Sequence, residues 1–183
     1  MIRIISGKYK GFKLDLVPSI KTKSSSHLVR KALFDTIGGF IKETILLDLF
    51  AGTGSYGFEA ISRDAKKVYL VDNSFIAFKT IHKNKKKLNL SNEKVIIFYS
   101  DAFRILKKFI QKKKRFDIVV LDPPYFSDYH VRLFQELDKI TYSRSIVVYE
   151  MHHKTNFLLD NDIFSLIKTK KYGIKKLNFY KRK

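Results

Sequence analysis

The sequence contains no cysteine, and its three prolines include an adjacent pair at positions 123 and 124. Without cysteine the chain can form neither a disulfide nor a thiolate metal site, and it has no thiol nucleophile. No apolar run approaches the ~18 residues that a membrane-spanning helix needs. The first residues, MIRIISGKYKGF, lack the apolar segment of a signal peptide. We therefore expect a soluble, monomeric, cytoplasmic protein.

Acidic residues are also scarce. The 17 Asp and Glu residues are set against 37 Lys and Arg residues, which gives a formal net charge of +20. An AT-rich genome would enrich Lys, Ile, Asn and Phe whatever the function, but it would also enrich Glu, so it does not account for the missing acids. A surplus of positive charge attracts phosphate backbones or anionic lipid. Of these two, we favour a nucleic-acid partner.

Short apolar segments of strand type and helix type alternate from residue 44 onward. Their periodicity predicts strands at 44–50, 67–72, 94–100, 115–121 and 145–151, and helices at 55–63, 74–90, 101–111 and 131–140. This alternation is typical of a mostly parallel α/β sheet that helices cover on both faces. A closing antiparallel hairpin over 164–180, turning at Tyr172-Gly173, is unusual in the nucleotide-binding sheets of dehydrogenases.

The residues before 44 predict an N-terminal extension. Residues 2–17 alternate on both sides of GKYKG, which indicates a β-hairpin. Residues 26–37 predict a helix with a serine cap, ended by Gly38-Gly39. We expect a single domain, 1–183, in which residues 1–40 extend a core of 44–183. In the core helix at 74–90, the spacing of Phe75, Phe78 or Lys79 and His82 predicts one half-buried face.

The first core strand runs into a glycine loop, LLDLFAGTGSYG (46–57). Gly52, Gly54 and Gly57 fit the G-x-G-x-x-G pattern, and Asp72 follows Gly52 by twenty residues, as in dinucleotide-binding sheets. Asp48 argues against a dinucleotide, because a carboxylate there would repel a pyrophosphate at the helix N-terminus. It would attract the cationic groups of S-adenosylmethionine, and glycine backbone allows that ligand to approach closely.

Acids also end the second and third core strands. Asp72 is placed to accept hydrogen bonds from two ribose hydroxyls, and Asp101 to accept one from an adenine amine, beside the apolar edges of Ala102 and Phe103. Each acid alone could simply cap the helix that follows it, but acids at three successive strand ends favour a cofactor site. The predicted cofactor-binding residues are Asp48, Phe50, Ala51, Gly52, Gly54, Asp72, Asn73, Asp101 and Ala102.

The fourth core strand ends in FDIVVLDPPY (116–125), which predicts a catalytic site. An exocyclic amine on a nucleobase is a poor nucleophile, and Asp122 with the carbonyl of Pro123 could each accept one of its N–H groups. Pro123 and Pro124 fix the backbone that aims this carbonyl, and Tyr125 offers a face for a base taken out of its stack. The alternative is that this segment only ends a strand. Methylation of a pyrimidine ring carbon is excluded, since it requires a cysteine.

Several segments together resemble the bacterial 16S rRNA guanine-N2 methyltransferases of the RsmD type. These are MIRIISGKYKGFKL, LVRKALFDTI, LLDLFAGTGSYGFEAISRDAKKVYLVD, FDIVVLDPPY and KKYG near residue 172. The resemblance implies a Rossmann-like class I fold with a mostly parallel seven-stranded sheet. It implies S-adenosylmethionine as cofactor and a guanine of 16S rRNA as substrate, within the small ribosomal subunit or its assembly intermediate. The acids and glycines above would contact the cofactor, and Asp122, Pro123 and Tyr125 the guanine.

One segment departs from the family pattern. The family shows Arg-Pro-Thr-Thr-Asp-Arg ahead of the first helix, whereas this chain has Lys23-Ser24-Ser25-Ser26-His27-Leu28. Lys23 keeps a positive charge and Arg30 keeps a basic position inside the helix, but lysine does not reproduce the bidentate contacts of arginine. We predict RNA contacts at Lys8, Lys10 and Lys13, which are interleaved with Tyr9 and Phe12, and at Lys23 and Arg30.

Other basic and histidine-rich segments have simpler explanations. The lysines at 85–87 and 112–115 fall at helix C-termini, where cations are favoured in any protein. His152 and His153 are neighbours on a predicted strand and should point to opposite faces, so we predict no metal site.

Two other functions remain open. An adenine-N6 DNA methyltransferase could use the same motifs, but the chain has no span for a DNA-recognition domain. A non-catalytic RNA-binding assembly factor could share the fold, but the intact set of acids at the strand ends argues against it.

Overall fold

The structure of the protein is a computed structural model that describes residues 2–18, 26–124, 130–159 and 161–183. Its strands are β1 (Ile2–Arg3), β2 (Lys13–Leu14), β3 (Ile45–Asp48), β4 (Lys67–Asp72), β5 (Val95–Tyr99), β6 (Ile118–Leu121), β7 (Ile146–His152), β8 (Phe164–Tyr172) and β9 (Lys175–Arg182). Its helices are α1 (His27–Ile37), α2 (Ser55–Ser62), α3 (Phe75–Lys87), α4 (Ala102–Gln111) and α5 (His130–Asp138), with a 3-10 turn at Gly38–Ile41.

Seven of these strands form the central sheet, in the order β5-β4-β3-β6-β7-β9-β8. Strands β3 to β7 run parallel to one another, and β9 pairs antiparallel with both β7 and β8. The prediction of a mostly parallel sheet closed by a C-terminal hairpin is therefore confirmed. The chain order reverses between β3 and β6, and ligands of open α/β sheets bind at such a reversal, outside the carboxyl ends of the strands.

Apolar side chains from both faces of the sheet build two cores. Helices α1, α2 and α3 pack on one face, where Phe34, Phe58 and Leu70 are among the buried residues. Helices α4 and α5 pack on the other face, over Tyr69 and Phe116. Because both faces are covered, the ends of the strands are where polar groups of the sheet can meet a ligand. Among the residues described, no helix is long and apolar enough to cross a bilayer.

The N-terminal extension has the predicted form. β1 and β2 pair antiparallel, with Ile2 opposite Leu14. Ser26 caps α1 by accepting a hydrogen bond from the backbone N–H of Val29 at 3.2 Å, and the helix ends at Gly38, whose φ of +57° favours glycine. The hairpin and the serine-capped helix are both confirmed.

The face that α3 turns toward the sheet is not the predicted one. The buried residues of α3 are Ala77, Thr80, Ile81, Asn84 and Lys85. Phe78 is half-buried, but Phe75 is 50% exposed and His82 is also exposed. The expectation of a half-buried face formed by the aromatic residues is therefore wrong. Asn84 enters the interior because backbone groups there bond its side-chain amide, which a hydrophobic pattern does not register.

Candidate active site

Three aspartates meet at the carboxyl edge of the sheet. Asp48 ends β3, Asp72 ends β4, and Asp122 follows directly after β6. Because β3 lies between β4 and β6 in the sheet, Asp48 lies between the other two acids. The sheet thus brings together residues that are 24 and 50 positions apart, as the sequence predicted from the strand ends.

Asp48 is a buried acid with an unused hydrogen-bonding oxygen. Its side chain is 0% exposed, and burial, followed by the nearby charge of Asp122, raises the pKa of its carboxyl well above the usual range. Oδ1 accepts a weak bond from the N–H of Phe50 at 3.4 Å, whereas Oδ2 has no hydrogen-bond partner within the described part of the chain. A buried oxygen without a donor is costly. The site therefore fits a ligand that brings positive charge or N–H groups to it.

The glycine loop turns tightly and packs closely against the sheet. Gly52 and Gly54 have φ values of +54° and +79°, which favour glycine. A Cβ at Gly54 would lie 2.6 Å from a ring carbon of Phe58, so a larger residue would also clash. Phe50 is half-buried and Ala51 is buried. The loop therefore presents backbone, with little side-chain cover, next to Asp48.

Asp72 braces this loop from the neighbouring strand. Its Oδ2 accepts a hydrogen bond from the N–H of Gly52 at 2.8 Å, and its Oδ1 accepts one from Ser74 at 2.8 Å. Burial raises the pKa of the Asp72 carboxyl, although these two bonds oppose the shift. A carboxylate has about four acceptor sites, so both oxygens keep capacity for the hydroxyl groups of a ligand.

Asp101 is the N-cap of α4. Its Oδ1 accepts hydrogen bonds from the N–H groups of Phe103 at 2.9 Å and Arg104 at 3.1 Å. Asp101 therefore does cap the helix that follows it, which was the alternative explanation for this acid. Its contact with an adenine stays a prediction. Ala102 is buried beside it, and Asn73 is exposed at the end of β4.

The D-P-P segment lies next to Asp48. Asp122 is half-buried, Pro123 is buried and Pro124 is exposed. The charge of Asp122 acts on two buried neighbours, Asp48 and Tyr149. Tyr125, which the sequence predicted to face the target base, lies outside the described residues.

Sequence reasoning missed Tyr149, which lies near Asp122, and its hydrogen-bond partner His130. Tyr149 is on β7, in register with Leu121, the residue that precedes Asp122. Its hydroxyl shares a hydrogen bond with Nδ1 of His130, the first residue of α5. Burial, followed by the charges of Tyr180 and Asp122, raises the pKa of Tyr149. Tyr149 is therefore a neutral hydrogen-bonding group at physiological pH.

A buried ion pair adjoins the same edge and was also missed. Glu150 is 1% exposed, its Oε2 accepts a hydrogen bond from the Tyr56 hydroxyl at 2.5 Å, and its Oε1 pairs with the Lys175 ammonium. Its charge contributes to the raised pKa of Asp48. A single acid inside the apolar segment SIVVYEM was the sequence signal for it.

The lysines predicted to contact RNA lie away from the carboxyl edge. Lys8, Lys10 and Lys13 are exposed. The turn that contains Lys8 docks on the last residue of α2, since the N–H of Lys8 donates to the carbonyl of Ser62 at 2.8 Å. The eight residues of α2 place this contact about 12 Å along the helix from the glycine loop.

The other two predicted RNA contacts have different outcomes. Lys23 lies outside the described residues. Arg30 is 1% exposed, its Nη2 donates to the carbonyl of Arg3 at 2.5 Å, and its Nε lies 3.8 Å from a carboxylate oxygen of Glu59. The prediction for Arg30 is corrected, because a guanidinium buried against β1 and α2 is not presented to RNA.

The two adjacent histidines do not point to opposite faces. The ring centroids of His152 and His153 are 4.6 Å apart, with a 28° angle between the planes. The prediction is wrong because His153 lies beyond the end of β7, where strand alternation no longer applies. In the part of the chain that the structure describes, no three His, Asp, Glu or Cys residues are grouped to hold a metal ion.

Known proteins resemble this chain over nearly its full length. It is 30% identical over 180 residues to the Ribosomal RNA small subunit methyltransferase D of Haemophilus influenzae, covering 98% of this chain and 93% of that one. It is 30% identical over 184 residues to the Putative rRNA methyltransferase YlbH of Bacillus subtilis, covering 100% of both. A solved structure described as a putative methyltransferase, yhhF, from Escherichia coli has a TM-score of 0.88 and 27% identity, covering 100% of this chain and 98% of that one.

A family model confirms the resemblance seen in the sequence motifs. The model described as Conserved hypothetical protein 95 matches residues 2–181. The fold, the acids at the strand ends and the relatives agree with this match. The chain therefore belongs to the Conserved hypothetical protein 95 family, that of the RsmD-type methyltransferases.

Proposed function

We propose that the protein transfers a methyl group from S-adenosylmethionine to the exocyclic N2 of a guanine in small-subunit (16S) ribosomal RNA. One observation carries the proposal. The buried Asp48, with an unpartnered Oδ2 among the residues described, adjoins Asp122, the first residue after β6. The site that we assign to the cationic methyl donor therefore adjoins the site that we assign to the amine that receives the methyl group. The names of the Haemophilus and Bacillus relatives support RNA as the acceptor.

S-adenosylmethionine is the cofactor of this methyltransferase, and the carboxyl edge fits its groups. When bound, it supplies a methyl group attached to a positively charged sulfur. Oδ2 of Asp48 is the acceptor for the cationic methionine end, and the backbone of Gly52 and Gly54 allows close approach. Asp72 has the capacity to accept from ribose hydroxyls while it braces the loop. We assign the adenine to Asn73, Asp101 and Ala102, with Phe50 and Ala51 beside the loop.

We assign the acceptor side to the D-P-P-Y segment. The guanine amine is a weak nucleophile because its lone pair is delocalised into the ring. Asp122 accepts one of its N–H groups and the carbonyl of Pro123 a second, which holds the lone pair toward the methyl group. Pro123 and Pro124 fix this backbone, and Tyr125 supplies a stacking face. Such positioning is a major source of rate for an attack on carbon.

The partner we propose is 16S rRNA in the small subunit or its assembly intermediate. The net charge of +20 supplies non-specific attraction to phosphates. We assign contacts with the RNA backbone to Lys8, Lys10 and Lys13, which are exposed. We keep Lys23 as a proposed RNA contact and leave out the buried Arg30.

Methyl transfer to three matched acceptors tests the proposal. The purified protein and labelled S-adenosylmethionine are incubated with small subunits that lack the modification, with protein-free 16S rRNA, and with duplex DNA. Nucleosides are then separated and identified by mass spectrometry. We expect N2-methylguanosine from the subunit or the free RNA. Label in N6-methyladenosine from DNA would favour the adenine alternative, and binding of RNA without any transfer would favour the assembly-factor alternative.

A further inference from the structure

Four aromatic side chains form a partly exposed patch beside the cofactor edge. This aromatic patch consists of Phe75, Phe78 and His82 on α3 and Tyr99 on β5. Centroid distances link Phe75 to Tyr99 at 5.7 Å, Phe78 to Tyr99 at 5.8 Å and Phe78 to His82 at 4.5 Å. Phe75 is 50% exposed and Tyr99 is 56% exposed. These rings contribute little to the core, so the patch calls for another explanation.

The patch lies at the carboxyl edge of the sheet. Tyr99 is the last residue of β5 and is in register with Asp72 on β4. The N–H of the next residue, Ser100, donates to the carbonyl of Asp72 at 3.0 Å, and Phe75 begins α3 just after β4. Three strand spacings separate β5 from β6, so the patch lies about 14 Å from the strand end that bears Asp122.

One positive charge lies directly on the patch. The ammonium of Lys79 lies 4.5 Å from the centroid of the Phe75 ring. Its flexible stem can move the ammonium from the ring to a phosphate if a planar group takes its place. Aromatic faces flanked by a mobile cation match the chemistry of a nucleotide, which combines a flat base with an anionic backbone.

We propose that the aromatic patch is a stacking platform for one or two unpaired RNA nucleotides near the target guanine. This inference rests on the proposed function, since it assumes an RNA substrate. Proteins read single-stranded RNA by stacking splayed bases on aromatic side chains. The patch and the strand end that bears Asp122 are about 14 Å apart, so nucleotides next to the target guanine can stack here while that guanine lies at Asp122. The platform lies at the carboxyl edge of the sheet, whereas the turn that contains Lys8 docks on the last residue of α2.

The test compares a variant of the patch with a matched control. The variant is Phe75→Ala combined with Tyr99→Ala. The control is Ile76→Ala, which removes an apolar side chain of similar exposure, 49%, from the same turn of α3. Affinity for a short unstructured fluorescent RNA is measured by anisotropy, beside an abasic oligomer with the same backbone. Thermal unfolding verifies that each variant folds, and calorimetry measures S-adenosylmethionine affinity.

We expect the double variant to lose about five- to a hundredfold in RNA affinity for each base that stacks. The loss should vanish on the abasic oligomer and be absent in the Ile76→Ala control. The salt dependence should stay unchanged, because the rings bear no charge. S-adenosylmethionine affinity should also stay unchanged.

Three results of these oligomer and cofactor assays would overturn the platform. These are an RNA affinity equal to that of the control, an equal loss on the abasic oligomer, or a loss of S-adenosylmethionine affinity, which would assign the patch to the cofactor. A loss of binding to assembled subunits but not to the RNA oligomer would indicate a protein partner and would overturn it as well. Methyl transfer by the unaltered protein distinguishes failure of the proposed methyltransferase function from failure of the stacking platform. If it methylates RNA while the double variant binds the oligomer normally, only the platform fails.

Discussion

Asn84 on α3 donates a hydrogen bond from its side-chain amide to the carbonyl oxygen of Thr53 in the glycine loop, 3.0 Å away. The same amide nitrogen donates to the carbonyl of Asp15 at 3.1 Å, and its oxygen accepts from the N–H of Asp15 at 2.7 Å. Asn84 is 0% exposed. One buried amide thus joins α3, the glycine loop and the segment that follows the N-terminal hairpin.

Replacement of Asn84 by alanine should destabilise the fold and weaken cofactor binding together. The change leaves backbone groups of Thr53 and Asp15 without their partner, which costs about 1–3 kcal/mol, and it loosens the glycine loop. Urea unfolding measures the first effect and calorimetry with S-adenosylmethionine the second. Gln111→Ala, which removes an exposed amide at the end of α4, should change neither. An Asn84→Ala protein with full stability would contradict this role.

Replacement of Asp122 should separate catalysis from cofactor binding. Asp122→Ala removes the acceptor that we assign to the guanine amine, so methyl transfer should fall by about a hundredfold or more. Cofactor affinity should be nearly unchanged or slightly improved, because the charge that opposes ionisation of Asp48 is gone. Single-turnover transfer and calorimetry give the two quantities. Asp122→Asn keeps one acceptor oxygen and should retain more activity than Asp122→Ala. Turnover that survives both changes would remove Asp122 from the mechanism.

The raised pKa of Asp48 predicts how stability depends on pH. Burial raises this pKa in the folded chain above its unfolded value, so the folded state binds the proton more tightly. That stabilisation is complete below the unfolded pKa and is lost as the pH rises through the folded pKa. Asp48→Asn removes the titrating group, so the ligand-free variant should be more thermostable than the unaltered protein at neutral pH. It should also bind S-adenosylmethionine more weakly.

Thermal unfolding of the ligand-free protein across a pH series measures this effect. Asp64→Asn is the matched control, since Asp64 is exposed and its φ of +69° is one that asparagine also tolerates. The control should follow the pH dependence of the unaltered protein. If Asp48→Asn also follows it, then Asp48 is ionised without strain in the ligand-free fold.

The acids of the site could be predicted because strand ends are visible in the sequence. Asp48, Asp72 and Asp122 each follow an apolar run, and parallel strands bring their carboxyl ends to one edge. Local pattern and tertiary position agree here.

Buried polar residues could not be predicted in this way. Asn84 and Arg30 enter the interior because partners distant in sequence, at Asp15, Thr53 and Glu59, satisfy them. Hydrophobic periodicity assigns such residues to the surface, and it assigned Phe75 to a half-buried face of its helix. The predicted buried face of α3 was wrong for this reason, and so was the predicted RNA contact at Arg30.

Replacement of Arg30 should therefore lower folding stability but not RNA affinity, whereas replacement of Lys8 and Lys10 should lower RNA affinity but not folding stability. Arg30→Ala leaves Glu59 with Arg63 as its remaining cation partner among the residues described, and should cost about 3 kcal/mol of folding stability. RNA affinity per folded molecule should be unchanged.

Lys8→Glu with Lys10→Glu should leave stability nearly unchanged, because both side chains are exposed. RNA affinity should fall, and the slope of log affinity against log salt should drop by about 0.7 for each lost phosphate contact. Urea unfolding and anisotropy at several salt concentrations measure both. If Arg30→Ala lowered that slope, Arg30 would reach the RNA after all, and the buried position would not describe the bound state.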